Sequence, residues 1–166
     1  MVSLGQVQRR IQNWLDRFFP EYGTVFKDWE GKASRITLAE FPTPKDIVQR
    51  GAFTILKRWK QEVKRAVGIK RAEKLVQAAS TSIGLTEGLS AAKIELRMLL
   101  AQYELYTHQL KSIMQQVEAL LKQIPGTEEM RSVPGIGVTT LAGFLAETGD
   151  LNKYDHGQQI IRLAGF

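Results

Sequence analysis

Leu89, Leu96, Tyr103, Leu110, Val117 and Ile124 recur every seven residues, and Ala92, Leu99, Tyr106, Ile113 and Leu120 repeat the same interval offset by three. At 3.6 residues per turn both series fall along one seam, the a and d positions of five heptads with no charged residue among them. A strand would scatter the same residues over two faces. The spacing predicts one helix over 86–124, about 58 Å long at 1.5 Å per residue. Leu100, Met114 and Leu121 at e positions widen the stripe, so the helix is expected to meet more than one partner. Residues 4–18 offer one partner within the chain, with Leu4, Val7, Ile11, Trp14, Leu15 and Phe18 at helical spacing. A second copy offers another. On that reading Leu89, Leu96, Leu99, Tyr103, Tyr106, Leu110, Ile113, Val117 and Leu120 hold a dimer or tetramer together. The alternative is burial of the same seam inside a monomeric bundle.

The remaining segments also read as helices, which makes the chain all-α. The 4–18 helix shows no start signal of its own and ends at Pro20. Residues 20–43 are turn-rich, with a short helix at 34–40. Thr43-Pro44-Lys45-Asp46 opens a helix, because threonine caps, proline suits the first helical position and Asp46 completes a capping box. Gly51 stops it. Phe53, Leu56, Trp59, Val63 and Val67 form an apolar face over 52–67, Gly68 breaks the pattern, and Ile69, Ala72, Val76, Ala79 and Ile83 resume it over 69–83. Pro125-Gly126 closes the long helix. A short helix opens at Thr127-Glu128-Glu129, another spans 138–148, and a last one is expected over 158–163. The division expected is a helical coiled-coil region over 1–124, containing a basic helical pair at 52–83 and the long helix at 86–124, and a second region over 125–166.

The net charge is +6, and Lys57, Arg58, Lys60, Lys64, Arg65, Lys70, Arg71 and Lys74 stand against only Glu62 and Glu73 within 57–74. Eight cations less two acids equal the excess of the whole chain. Charge concentrated in this way marks a surface for a polyanion, so these eight residues are assigned to nucleic-acid binding.

Val133-Pro134-Gly135-Ile136-Gly137, followed by Val138, Thr139 and Thr140, resembles a helix-hairpin-helix turn. Its glycines let the backbone approach a ligand, and the next helix would point free N–H groups at a phosphate. Gly135, Ile136 and Gly137 therefore join the nucleic-acid-binding set. Valine and threonines stand where many such turns carry a cation, and 125–166 has three cations against five acids. A purely structural turn is the competing reading.

Other chemistry is not indicated. Without cysteine there is neither a disulfide nor a thiolate metal site. His108 and His156 are isolated, Glu147 and Asp150 are only a pair of carboxylates, and none of the seven serines has a base nearby in sequence. No P-loop, signal peptide or membrane-length apolar run is present, so a cytoplasmic location without membrane contact is expected. No catalytic residue, metal ligand or cofactor is assigned to this chain.

Several stretches together carry a family likeness: 10–21 (Arg-Ile-Gln-Asn-Trp-Leu-Asp-Arg-Phe-Phe-Pro-Glu), 41–47 (Phe-Pro-Thr-Pro-Lys-Asp-Ile), 82–86 (Ser-Ile-Gly-Leu-Thr), 133–137, and 146–151 (Ala-Glu-Thr-Gly-Asp-Leu) running on to Leu163-Ala164-Gly165-Phe166. In order and spacing they resemble the insertion-sequence transposases of the one-ten/one-sixteen/nine-oh-two group. The resemblance implies a bridge-RNA-guided DNA transposase with a RuvC-like acidic domain that uses magnesium, a helical coiled-coil region and a serine domain. It implies that this chain is truncated at both ends, starting beyond the acidic set and stopping before the serine. It would then keep the coiled-coil region and the opening of the serine domain, with DNA and a structured guide RNA as partners and no complete active site. A non-catalytic coiled-coil interaction protein, or a regulator forming mixed oligomers with a full-length transposase, is the alternative.

Overall fold

The computed structural model describes residues 3–64, 67–149, 151–156, 158 and 159. The fold is all-α, as expected, and no strand occurs among the described residues. The chain forms two compact units, Met1–Thr107 and His108–Phe166. The boundary expected at 124/125 lies inside the second unit. The last helix expected, over 158–163, falls almost wholly outside the described residues.

The first unit begins with α1, Leu4–Phe18. This helix does have its own start signal, contrary to the sequence reading. The Ser3 hydroxyl accepts from the Gln6 N–H at 3.3 Å, and the Gln6 side chain accepts from the Ser3 N–H at 2.8 Å. The pair is a capping box that satisfies two backbone donors of the first turn. Next come a single turn, α2 (Tyr22–Val25), then α3 (Lys32–Glu40). The turn at 22–25 was not foreseen. A second capping box, between Thr43 and Asp46, starts α4 (Pro44–Glu62) as the sequence indicates. Gly51 interrupts α4 with φ 74° and ψ 162°, so two helical pieces meet at a kink that only glycine adopts without strain. Helix α5 spans Ile69–Ser80, and the long helix α6 spans Leu89–Leu121, three residues shorter at each end than the heptads suggest.

The core of the first unit is aromatic. Trp14 lies 5.0 Å from Phe18, Phe19 5.4 Å from Tyr22, Tyr22 5.0 Å from Phe26, and Phe26 5.7 Å from Trp59. Burying tryptophan or tyrosine requires a partner for the polar end. Trp14 Nε1 donates to the Ala92 carbonyl at 2.9 Å, Trp59 Nε1 to Thr37 Oγ1 at 2.9 Å, and the Tyr22 hydroxyl to the Ser34 carbonyl at 3.0 Å. Burial pushes the Tyr22 phenol well above its ordinary value, against hydrogen bonds with Ser34 and Thr37 that lower it. The Trp14–Ala92 bond ties α1 to α6, fulfilling the expectation of an intrachain partner. Trp29 stacks edge-on to Tyr103 at 5.0 Å and draws the segment before α3 onto the same helix.

The second unit holds the rest of α6, then α7 (Thr127–Arg131), a glycine turn, α8 (Val138–Thr148) and a 3-10 turn at Leu151–Lys153. Thr127 Oγ1 donates to the Leu121 and Ile124 carbonyls at 2.8 and 2.9 Å, so the threonine satisfies carbonyls at the end of α6.

Candidate nucleic-acid interface

The basic run divides between two helices. Helix α4 presents Lys57 and Lys60 to solvent, while α5 presents Lys70, Arg71 and Lys74. Lys64 lies exposed just beyond α4, and Arg65 lies outside the described residues. Arg58 belongs with the acids. Its Nε donates to Glu40 at 2.6 Å and its Nη2 to Glu62 at 2.6 Å, so its charge is already matched. These bonds, first to Glu62 and then to Glu40, hold the guanidinium further above its ordinary value, and Arg58 holds the Glu62 carboxyl below its own.

The α5 cations gain partners from distant sequence. An open cleft of about 670 Å³ is bordered by Lys70, Arg71 and Lys74 together with Lys27 and Lys32 from the α2–α3 segment. Asp28 is the one acid along it among the described residues. Phe26, Val63 and Val67 supply apolar lining. Lys74 Nζ donates to the Thr24 carbonyl at 2.7 Å, fastening α5 to the end of α2. The Arg71 guanidinium lies over the Phe26 ring at 5.2 Å. Lys32 makes a looser 3.7 Å contact with Glu62. The first turn of α5 has no side-chain cap and no acid, and it carries Lys70 and Arg71 against the preference of the helix dipole. The wall is therefore strongly positive, and a phosphate would relieve the repulsion along it. Lys27 and Lys32 were missed from sequence because they sit about forty residues before the α5 cations that they join. No local pattern marks them.

A separate shallow groove is lined by Arg50, Thr54, Lys57 and Gln61, with Glu40, Phe41 and Arg58. Beside it Phe53 stands 80% exposed. The sequence reading had placed Phe53 on the apolar core face, and the structure corrects this. The buried residues after the kink are Ile55, Leu56 and Trp59. At 100° per residue Phe53 lies about 110° from the centre of that face.

At the glycine turn between α7 and α8, Gly135 has φ 92° and the Ile136 N–H donates to the Val133 carbonyl at 3.1 Å. Gly137 precedes α8 in extended conformation, and no side chain caps that helix. Gly135 and Gly137 are exposed, Ile136 is half-buried, and Thr139 and Thr140 face solvent. The nearby Arg131 is engaged with Glu118 at 3.5 Å and Glu128 at 3.9 Å. The turn offers backbone donors without a cation.

The residues assigned to self-association divide at the unit boundary. Leu96, Leu99 and Tyr103 are buried in the first unit, and Leu89 and Tyr106 pack partly against the same core. Leu110, Ile113 and Leu120 are 50%, 56% and 61% exposed, with Val117 half-buried. Elsewhere His108, His156 and Glu147 are exposed, and Asp150 is outside the described residues. No group of three or more His, Asp or Glu side chains that could hold a metal occurs among the described residues, and no described helix is long and apolar enough to cross a membrane.

The described residues thus define an all-α chain with a cleft rich in cations in its first unit and exposed apolar residues on α6 in its second. Residues 127–166, from α7 to the end of the chain, match the family described as Transposase IS116/IS110/IS902. No curated protein and no solved structure matches the chain.

Proposed function

We propose that this chain is a nucleic-acid-binding, self-associating part of a DNA transposase of the IS116/IS110/IS902 kind, acting in the cytoplasm without a catalytic residue of its own. The observation that carries the reading is the family match over 127–166. That stretch corresponds to the opening helices of the serine domain, and residues 1–124 to the coiled-coil region. The cleft between α5 and the α2–α3 segment takes phosphates of DNA or of a structured guide RNA, with Lys57, Lys60 and Lys64 adding contacts. Gly135, Ile136 and Gly137 of a helix-hairpin-helix turn add backbone contacts to phosphate. Leu110, Ile113, Val117 and Leu120 meet their counterparts in a second copy, because a chain that exposes such a seam leaves it to a partner.

The test is salt dependence. Each phosphate contact contributes about −0.9 to the log–log slope of affinity against salt on duplex DNA. Replacing Lys27, Lys57, Lys60 and Lys70 with alanine should weaken binding and flatten that slope by about two to four. A quadruple variant with the parent's affinity and slope would remove the cations from the proposal. The exposed seam also supports a second reading, a regulator that joins a full-length transposase in mixed oligomers. Co-purification of the chain with an intact family enzyme, abolished by Ile113→Glu, would favour it.

A further inference from the structure

Phe53 is 80% exposed, the whole face of its ring open to a ligand. At 100° per residue Phe53, Lys57 and Lys60 fall within about 60° of one another on α4, so an aromatic ring and two ammonium groups share one outward stripe. Both lysines are exposed, and no ion pair among the described residues engages either. Arg50 and Thr54 border the groove beside the stripe. The kink at Gly51 separates this piece of α4 from the piece before it, and the core face of the later piece is filled by Ile55, Leu56 and Trp59. The stripe is thus left on the outside of a helix whose inner face is already occupied.

A flat apolar ring flanked by cations suits a polyanion that also presents flat apolar rings. We infer that Phe53 is a stacking platform for an unpaired base of a single-stranded nucleic acid, with Lys57 and Lys60 on the adjacent phosphates. Paired bases inside a duplex keep their faces stacked on each other, so the platform discriminates for single strands and loops. Stacking on an aromatic side chain tolerates any base, so the preference is for strandedness and not for sequence. This inference rests on the nucleic-acid reading above and adds the form of the partner to it.

The experiment compares the parent chain with Phe53→Ala, Phe53→Leu and Phe53→Tyr. Binding is measured by anisotropy of end-labelled oligothymidylate, oligouridylate and a duplex of equal length, at one salt concentration. Thermal unfolding and sedimentation are followed alongside. Alanine and leucine are expected to weaken single-strand binding about 5- to 100-fold, the range of one lost base stack, and tyrosine to restore it. Duplex affinity, unfolding temperature and sedimentation should not move. Equal losses on single strand and duplex, or full affinity in Phe53→Ala, would overturn the stacking role while leaving the cationic surface in place. Altered sedimentation would assign Phe53 to a protein contact instead. If the parent binds none of the three probes, the nucleic-acid reading and the stacking role fall together.

Discussion

Residues 10–21 and 82–86, singled out in the sequence, form one joint. The Glu21 carboxylate accepts from Ser82 Oγ at 2.6 Å and from the Ile83 N–H at 3.0 Å, and the Leu85 N–H donates to the Arg17 carbonyl at 2.9 Å. Burial alone would raise the Glu21 pKa, but the bonds from Ser82 and Ile83 outweigh it and hold the carboxyl below its ordinary value. Gly84 lies so close to the Phe18 carbonyl that a Cβ would collide with backbone. Gly84→Ala should therefore cost about 2–3 kcal/mol in a urea titration, because neither side of the contact is flexible. Gly23→Ala, with open space around the added methyl, should change stability by less than about 0.5 kcal/mol. These residues read from sequence as a motif without a role. Their role is a contact across some sixty residues, which no local spacing expresses. Asp46 carries a pH prediction. Burial tends to raise its pKa, but hydrogen bonds from Lys93 and Thr43 outweigh it and hold the carboxyl below the ordinary 3.8. A depressed folded value means stabilisation present above the unfolded pKa and lost as pH falls through the folded one. Asp46→Asn should lower stability by about 1 kcal/mol at neutral pH and less in acid, read from unfolding midpoints across that range.

At the scale of elements, periodicity located the helices well, because 4–18 and 138–148 coincide with α1 and α8 and the heptads with α6. It could not tell which partner each turn of α6 meets, since a core helix and a coiled coil require the same apolar seam. The structure buries Leu96, Leu99 and Tyr103 and leaves Leu110, Ile113 and Leu120 exposed. Leu96→Ala should cost about 2–5 kcal/mol in the first unit, as a large cavity in a packed core does. Leu110→Ala and Ile113→Ala should leave the unfolding of that unit unchanged and lower self-association, measured by sedimentation over a concentration series. Loss of stability without loss of association would place the lower seam in a monomer core. The same argument explains Phe53. A pattern of apolar residues near helical spacing includes a member on the shoulder of the stripe, and only the position of the neighbouring elements decides whether the shoulder is covered.

The two units differ in what they bury. Nearly all the buried apolar side chains belong to the first, and among the described residues the second buries only Leu121 and Leu141 of that kind. Local stability follows buried apolar contacts, so amide hydrogens of 108–149 should exchange much faster than those in the interior of α1, α4 and α5. Hydrogen exchange read by mass spectrometry checks this, and equal protection in both units would contradict it. Addition of nucleic acid or a rise in protein concentration should slow exchange in the second unit if a partner covers its exposed apolar side chains.

All three tryptophans, Trp14, Trp29 and Trp59, are buried and lie in the first unit. The tryptophan fluorescence of the chain should therefore be blue-shifted, resist aqueous quenchers and report the melting of that unit alone. Events at the exposed seam of α6 or at the glycine turn pass unseen by it. An optical view of the second unit requires a dye placed there, and the absence of native cysteine makes a single introduced thiol in α8 a clean point of attachment.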